Sequence, residues 1–179
     1  MTHPHRCLPL IVLLALAACT GSQQPETDET NRLDEPASPR IESAALAEQK
    51  TASDVVVGYL ALKNALVASD AEGAKARAVD LLGIVDATRM PNVQQRVKEM
   101  AASTDLEVQR TYFDSLSVAL YEQVKQQATV QQTLYKQYCP MAFNDRGAFW
   151  LSANREIENP YFGDKMMKCG RIEEEISSK

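Results

Sequence analysis

The sequence predicts a mainly α fold, an antiparallel four-helix bundle closed by a small C-terminal antiparallel β element. Three observations carry that expectation. Between Thr51 and Gln127 apolar residues return at intervals of three and four, the spacing of a single helix face. Helix-starting residues, Ser69, Pro91 and Thr104, divide this stretch into four segments. Beyond Thr129 the pattern changes to short, aromatic-rich runs of strand length.

The N-terminus reads as an export segment. Met1 to Arg6 carries one positive charge, Leu8 to Leu16 is a short apolar run, and Leu16-Ala17-Ala18-Cys19 places small residues directly before a cysteine. This predicts a lipoprotein signal peptide over residues 1–18, cleaved before Cys19, whose sulfur takes the lipid. The apolar run is too short to span a bilayer. Thr20, rather than Asp, follows the cysteine, and its similarity to bacterial sorting rules favours the outer membrane, with the protein facing the periplasm. Residues 19–47 then form a disordered tether: Pro25, Pro36 and Pro39 stand among polar and acidic residues with no aromatic side chain to bury. A flexible chain of that length reaches on the order of 30 Å. The folded domain is placed at residues 48–179.

Within the helical part, Val55, Tyr59, Leu62 and Leu66 share one face of the first helix. Ser69 with Glu72 predicts a capping box that opens a second helix bearing Ala74, Ala78, Leu81 and Val85. Pro91 suits the first turn of a third, which presents Val93, Val97 and Met100. Thr104 with Glu107 repeats the box before a longer helix with Leu106, Phe113, Leu116, Leu120 and Val124. Gly58, Gly73 and Gly83 are read as sites of close helix packing, since none has a phosphate-binding spacing. Met90 and Met100 are read as structural. The glutamines at 126, 127, 131 and 132 allow the fourth helix to run on to Lys136. Leu134 to Tyr138, Ala148 to Leu151 and Arg171 to Ile176 are the strand candidates, with a turn at Asn144-Asp145-Arg146-Gly147.

Composition excludes several classes of function. Loss of residues 1–18 removes one basic residue, so Lys plus Arg falls from 19 to 18 against 24 acidic residues. Nucleic acid is then no partner, because phosphate neutralisation needs a basic face. Both histidines, His3 and His5, lie in the signal. A cysteine nucleophile would lack its base, a Ser-His-Asp set cannot form, and no phosphate-binding glycine loop is present, so the chain is expected not to be an enzyme.

Of the four cysteines, Cys7 leaves with the signal and Cys19 is committed to lipid. Cys139 and Cys169 remain as an even pair in an oxidising compartment. They lie in Tyr138-Cys139-Pro140-Met141 and Met166-Met167-Lys168-Cys169-Gly170, and the residues leave two readings open. Soft thiolate and thioether sulfurs suit Cu(I), with Cys139 and Cys169 as thiolates, Met141 and Met166 as thioethers, and Lys165, Lys168 and Arg171 offsetting the residual negative charge. Trp150, between the two segments, is either a wall of such a site or the anchor of the sheet on the bundle. Tyr161 and Phe162 read first as a packed turn. Zinc would need Asp145 or Asp164 beside the two thiolates and is the lesser metal candidate. Alternatively, Cys139 and Cys169 form a disulfide, which stabilises by roughly 4 kcal/mol in the chain-entropy model.

Tyr138-Cys139-Pro140-Met141-Ala142, Gly147-Ala148-Phe149-Trp150-Leu151-Ser152, Ile157-Glu158-Asn159-Pro160-Tyr161-Phe162-Gly163, Met166 and Cys169-Gly170 together resemble the signature of the bacterial domain of unknown function 3347 family. The resemblance covers most of residues 53 to 176, with specific residue types at its C-terminal end and pattern alone in its helices. Members stand alone behind export signals or extend the periplasmic adaptor subunits of heavy-metal and copper efflux pumps. The resemblance therefore implies a periplasmic role near metal handling and an adaptor or efflux-pump component as partner. It also favours Met166 over Met167 as the ligand. The expected function is a lipid-anchored extracytoplasmic Cu(I)-binding protein that holds metal or delivers it to an efflux or assembly partner. The alternative is a disulfide-stabilised interaction module of an envelope complex with no metal.

Overall fold

Helix α1 (Pro39–Val67) opens the described part of the chain, which comprises residues 39–127 and 131–177 of the computed structural model. The signal peptide, Cys19 and most of the tether lie outside the described residues. Residues 39–47, assigned above to the tether, are instead the first turns of α1. Glu42 to Lys50 is rich in Ala, Glu, Leu and Gln, all good helix formers. Leu46, exposed there, shows that local propensity rather than burial extends the helix.

Three more helices follow, α2 (Ala71–Leu82), α3 (Pro91–Ala101) and α4 (Leu106–Gln127). Their faces are those the periodicity predicts. Every stripe residue named above is buried except Leu106, which is half-buried, although α2 ends at Leu82 and Val85 is buried beyond it rather than on the helix. Each fully buried Leu or Phe stabilises by about 1.5–3 kcal/mol, so these stripes hold the helices on one another. Helix α1 packs on α2, α2 on α3 and α3 on α4. At Gly58 a Cβ would stand 2.7 Å from Leu81 Cδ1, the close approach expected of a helix-packing glycine.

The caps differ from expectation by one residue. Asp70, not Ser69, caps α2, accepting from the Gly73 N–H at 2.8 Å. Asp105, not Thr104, accepts from the Glu107 and Val108 N–H groups at 2.9 and 3.1 Å. A carboxylate satisfies the orphan donors as a hydroxyl does and adds charge complementary to the helix dipole. Ser69, released from capping, takes a left-handed backbone (φ 54°), and its Oγ accepts from Arg110 Nη2 at 3.2 Å.

Helix α4 ends at Gln127, and Leu134 to Lys136 belong to a strand instead. Strands β1 (Leu134–Cys139), β2 (Ala148–Ser152) and β3 (Arg171–Ile176) form an antiparallel sheet in the order β2-β1-β3. Tyr135 and Tyr138 favour the pleated, half-buried surface over a helix. In register, Cys139 faces Ala148 across β2 and Tyr138 faces Arg171 across β3, with an irregularity between Lys136 and Gln137. Strand β2 lies against α4. The chain is thus mainly helical with a small three-stranded sheet. Among the described residues no helix is long and apolar enough to cross a membrane.

Candidate functional site

The β1–β3 pairing assembles the cysteines. Because Tyr138 faces Arg171, the next residues on either strand, Cys139 and Gly170, are brought alongside each other, and Cys169 follows. Gly170 permits the approach: at φ 151° its Cβ would stand 3.0 Å from Tyr138 O and 3.1 Å from Trp150 Cη2. The two Sγ atoms lie 2.8 Å apart, Cys139 fully buried and Cys169 half-buried. Two thiolates sharing one metal, each about 2.3 Å from it at a tetrahedral or wider angle, sit about 3.8 Å apart or more. The pair as placed stands as two free thiols, about 0.8 Å farther apart than a disulfide bond and about 1 Å closer than two thiolates on one metal. Burial and the neighbouring Cys139 thiol push the Cys169 thiol up to about 11, so when reduced it is protonated at neutral pH. Asp145 and Asp164, which a zinc site would draw on, do not form a group of three ligands with these cysteines among the described residues.

The methionines meet elsewhere. Met141 is 47% exposed and Met166 half-buried, and both line a cleft of about 580 Å³. Neither cysteine nor Trp150 is among its lining residues. The four predicted sulfur ligands thus fall into two adjoining pairs, linked through the backbone where the Cys169 N–H donates to Met166 O at 3.0 Å. Trp150 is fully buried, its ring edge-on to Tyr161 with centroids 5.8 Å apart and its Cη2 close to Gly170. Of the three neighbouring cations, Lys168 pairs with Glu156, while Arg171 pairs with Glu173 and covers the Tyr138 ring.

Residues that periodicity did not single out fasten this end of the molecule. Arg110 is 2% exposed and spends its guanidinium on four partners: Pro160 O at 2.9 Å, Glu107 Oε1 at 2.9 Å, Ser69 Oγ at 3.2 Å and Leu66 O at 3.4 Å. Lys63, equally buried on α1, reaches Glu158 Oε2 at 3.2 Å. Asn159 ties its own loop: its Nδ2 donates to Cys169 O, and its Oδ1 accepts from the Tyr161 and Phe162 N–H groups. The packed turn expected at Tyr161 and Phe162 is present in this form. Gln137 holds the 154–156 segment through bonds to Asn154 O and Glu156 O. One sequence signal pointed to Arg110 and Lys63: each is a charge adjoining an apolar stripe, at helical spacing from its members.

The Asn144–Gly147 turn is tighter than an ordinary one. Phe143, Asn144 and Asp145 have φ of 54°, 56° and 63°, a left-handed turn of three non-glycine residues. Gly147 follows at φ 79°, where a Cβ would collide with the Tyr138 hydroxyl.

A family model described as "Protein of unknown function (DUF3347)" matches residues 55–132. The matched residues run from α1 to the approach to β1, so the cysteines, the methionines at 141 and 166 and the cleft lie beyond them. No curated protein and no solved structure matches the chain.

Proposed function

Starting from a chain that belongs, through residues 55–132, to the DUF3347 family, we propose a lipid-anchored extracytoplasmic binding module stapled by a Cys139–Cys169 disulfide. In this reading the signal peptide and Cys19 place the protein on the periplasmic face of the outer membrane. The four helices close as an antiparallel bundle, and the module binds an envelope partner without catalysing a reaction. The observation that carries it is the 2.8 Å approach of the two Sγ atoms at the ends of the segment that carries β2. Two further facts support it. The Cys169 thiol is disfavoured as a thiolate, which suits a structural cysteine better than a reactive one. The loop between the cysteines is also held by buried polar bonds, so a covalent tie there fixes a defined shape.

The competing reading is a Cu(I) site, with Cys139 and Cys169 joined by Met141 or Met166 and delivery to an efflux-pump component. The adjoining placement of the methionine pair favours it. It requires the thiols to be reduced and the sulfurs to part by about 1 Å. One experiment separates the two: thiol titration of the full chain with Cys7 and Cys19 replaced by Ser, purified without reductant, coupled to Cu(I) competition against a chromophoric chelator. The disulfide reading expects no free thiol before reduction, two after it, and no copper retained by the oxidised protein. Two free thiols with one-to-one Cu(I) uptake, lost in Cys139→Ser and weakened in Met141→Leu, overturn it in favour of copper. The anchor has its own check, in that incorporation of a labelled fatty acid should vanish in Cys19→Ser.

A further inference from the structure

We propose that the cleft between the left-handed turn and the 161–166 segment binds a small zwitterionic molecule, an α-amino acid with an aromatic or similarly large apolar side chain. Its volume, about 580 Å³, lies within the range of small-molecule sites. Its floor is preformed. Tyr161 is buried with its hydroxyl committed to Phe149 O, and Arg110 is locked by the four bonds described above. Phe143 stands edge-on to Tyr161 with centroids 5.3 Å apart, and the Arg146 guanidinium covers its ring.

Apolar recognition comes from Phe143, Phe162, Met141 and Met166. The thioethers are unbranched and polarizable, so they can mould to an apolar guest. An exposed methionine beside two aromatic rings is a poor arrangement for water and a good one for a flat or sulfur-bearing side chain.

The rim supplies opposite charges from two different segments. The Asp145 carboxylate and the Lys165 ammonium both line the cleft, and neither has an ion-pair partner among the described residues. Nearby Arg146, by contrast, is paired with Asp114. A ligand ammonium would meet Asp145 and the Phe143 ring, and a ligand carboxylate would meet Lys165.

The backbone adds an independent sign. A left-handed conformation costs a non-glycine residue roughly 1–2 kcal/mol, and three such residues in succession carry Phe143 and Asp145 to the cleft. Strain of this kind persists where the surrounding structure holds it, and it gathers at ligand clamps.

The test titrates L-phenylalanine into the full chain carrying ¹³C-methyl methionine. Saturable shifts are expected for Met141 and Met166, while the buried Met90 and Met100 stay fixed and report an intact fold. 3-Phenylpropanoate, which lacks the ammonium, and phenethylamine, which lacks the carboxylate, should each bind about two- to fivefold more weakly, the size of a solvent-exposed ion pair. Asp145→Asn should lower affinity for phenylalanine but not for 3-phenylpropanoate, and Lys165→Gln should spare phenethylamine in the same way. Asparagine tolerates the left-handed backbone, so the first variant keeps the turn. Absence of saturable shifts at Met141 and Met166, or equal binding of all three compounds, overturns the proposal. Neither cysteine lines the cleft, and the thiol titration above reports on them separately.

Discussion

Gly163→Ala is the sharpest test of how the C-terminal segment is fastened to the helices. Gly163 has φ 54°, and a Cβ there would lie 2.3 Å from Ser69 Oγ, 2.9 Å from Arg110 Nη2 and 3.0 Å from Val67 O. The left-handed backbone alone costs alanine about 1–2 kcal/mol. Relief of the contact cannot come from a flexible chain end. Ser69 is itself held at φ 54°, Arg110 is fixed by four partners, and Val67 contributes backbone. Displacing the guanidinium from Ser69 or Leu66 O removes a charged hydrogen bond worth about 1.5–3 kcal/mol. The sum is about 2.5–5 kcal/mol, which for a domain of this size lowers Tm by about 8–20 °C. Thermal unfolding followed by far-UV circular dichroism would measure it, with Gly83→Ala as the control. Gly83 has φ −70°, and a Cβ there meets nothing closer than Asp80 O at 3.4 Å, so its Tm should stay within about 2 °C of the parent. A Gly163→Ala protein that also melts within about 2 °C of the parent would refute the claim that this turn is clamped between α1 and Arg110.

The remaining predictions concern the other ties. Reduction with dithiothreitol, or replacement of both Cys139 and Cys169 by Ser, should lower stability by about 2–4 kcal/mol in urea unfolding, and identical midpoints with and without reductant would exclude a structural disulfide. Arg110→Met should cost about 3–5 kcal/mol, because it strands the Pro160 and Leu66 carbonyls and the Ser69 hydroxyl, and Arg110→Lys should recover less than half, since an ammonium cannot reproduce the fork; full recovery by lysine would show that charge alone matters. Glu174 is held below its ordinary 4.5 by hydrogen bonds from Lys125 and Tyr121. The unfolded chain therefore binds the proton first as pH falls, so this stabilisation is present above pH 4.5 and lost below it as Glu174 protonates. A pH series of melts for the parent and Glu174→Gln should converge at low pH; curves that stay parallel would remove Glu174 from the acid response.

The helical half was readable because burial there is periodic. Val55, Tyr59, Leu62 and Leu66 could only make one face, and that face is in the core. The caps were placed one residue early because a hydroxyl residue stands directly before Asp at both starts, Ser69-Asp70 and Thr104-Asp105, and spacing alone does not choose between neighbouring acceptors. Helical propensity in Glu42 to Lys50 was outweighed, in the sequence reading, by the prolines upstream, although Pro39 is compatible with a first turn. The site divided differently. Once Leu134 to Tyr138 and Arg171 to Ile176 are strands, their antiparallel pairing must bring Cys139 near Cys169, so this juxtaposition was implicit in the sequence. The placement of both methionines on a cleft that neither cysteine lines was not, because that cleft is shaped by the left-handed turn after Met141. Three successive non-glycine residues at positive φ have no sequence signature, since only tertiary packing makes that conformation the cheapest.

The family match ends at residue 132, yet the residues that fix the C-terminal segment lie inside it. Tyr59 OH accepts from the Leu151 N–H at 3.1 Å and donates to Ser117 Oγ at 2.7 Å, which in turn donates to Phe113 O. Lys63 reaches Glu158, and Arg110 reaches Pro160. Each tie is a buried polar group that projects from α1 or α4 and would be costly if its C-terminal partner were missing. An apolar contact tolerates sliding by a fraction of an ångström, whereas a buried donor with one acceptor does not, so these ties set the register of β2 and the 158–160 loop on the helices. Those two segments adjoin the cysteine pair: β2 pairs with β1, which ends at Cys139, and Asn159 Nδ2 donates to Cys169 O. The matched helices therefore act as a frame whose polar contacts position a site lying outside the match, and substitutions at Tyr59 or Lys63 should disturb the C-terminal segment before they melt the helices.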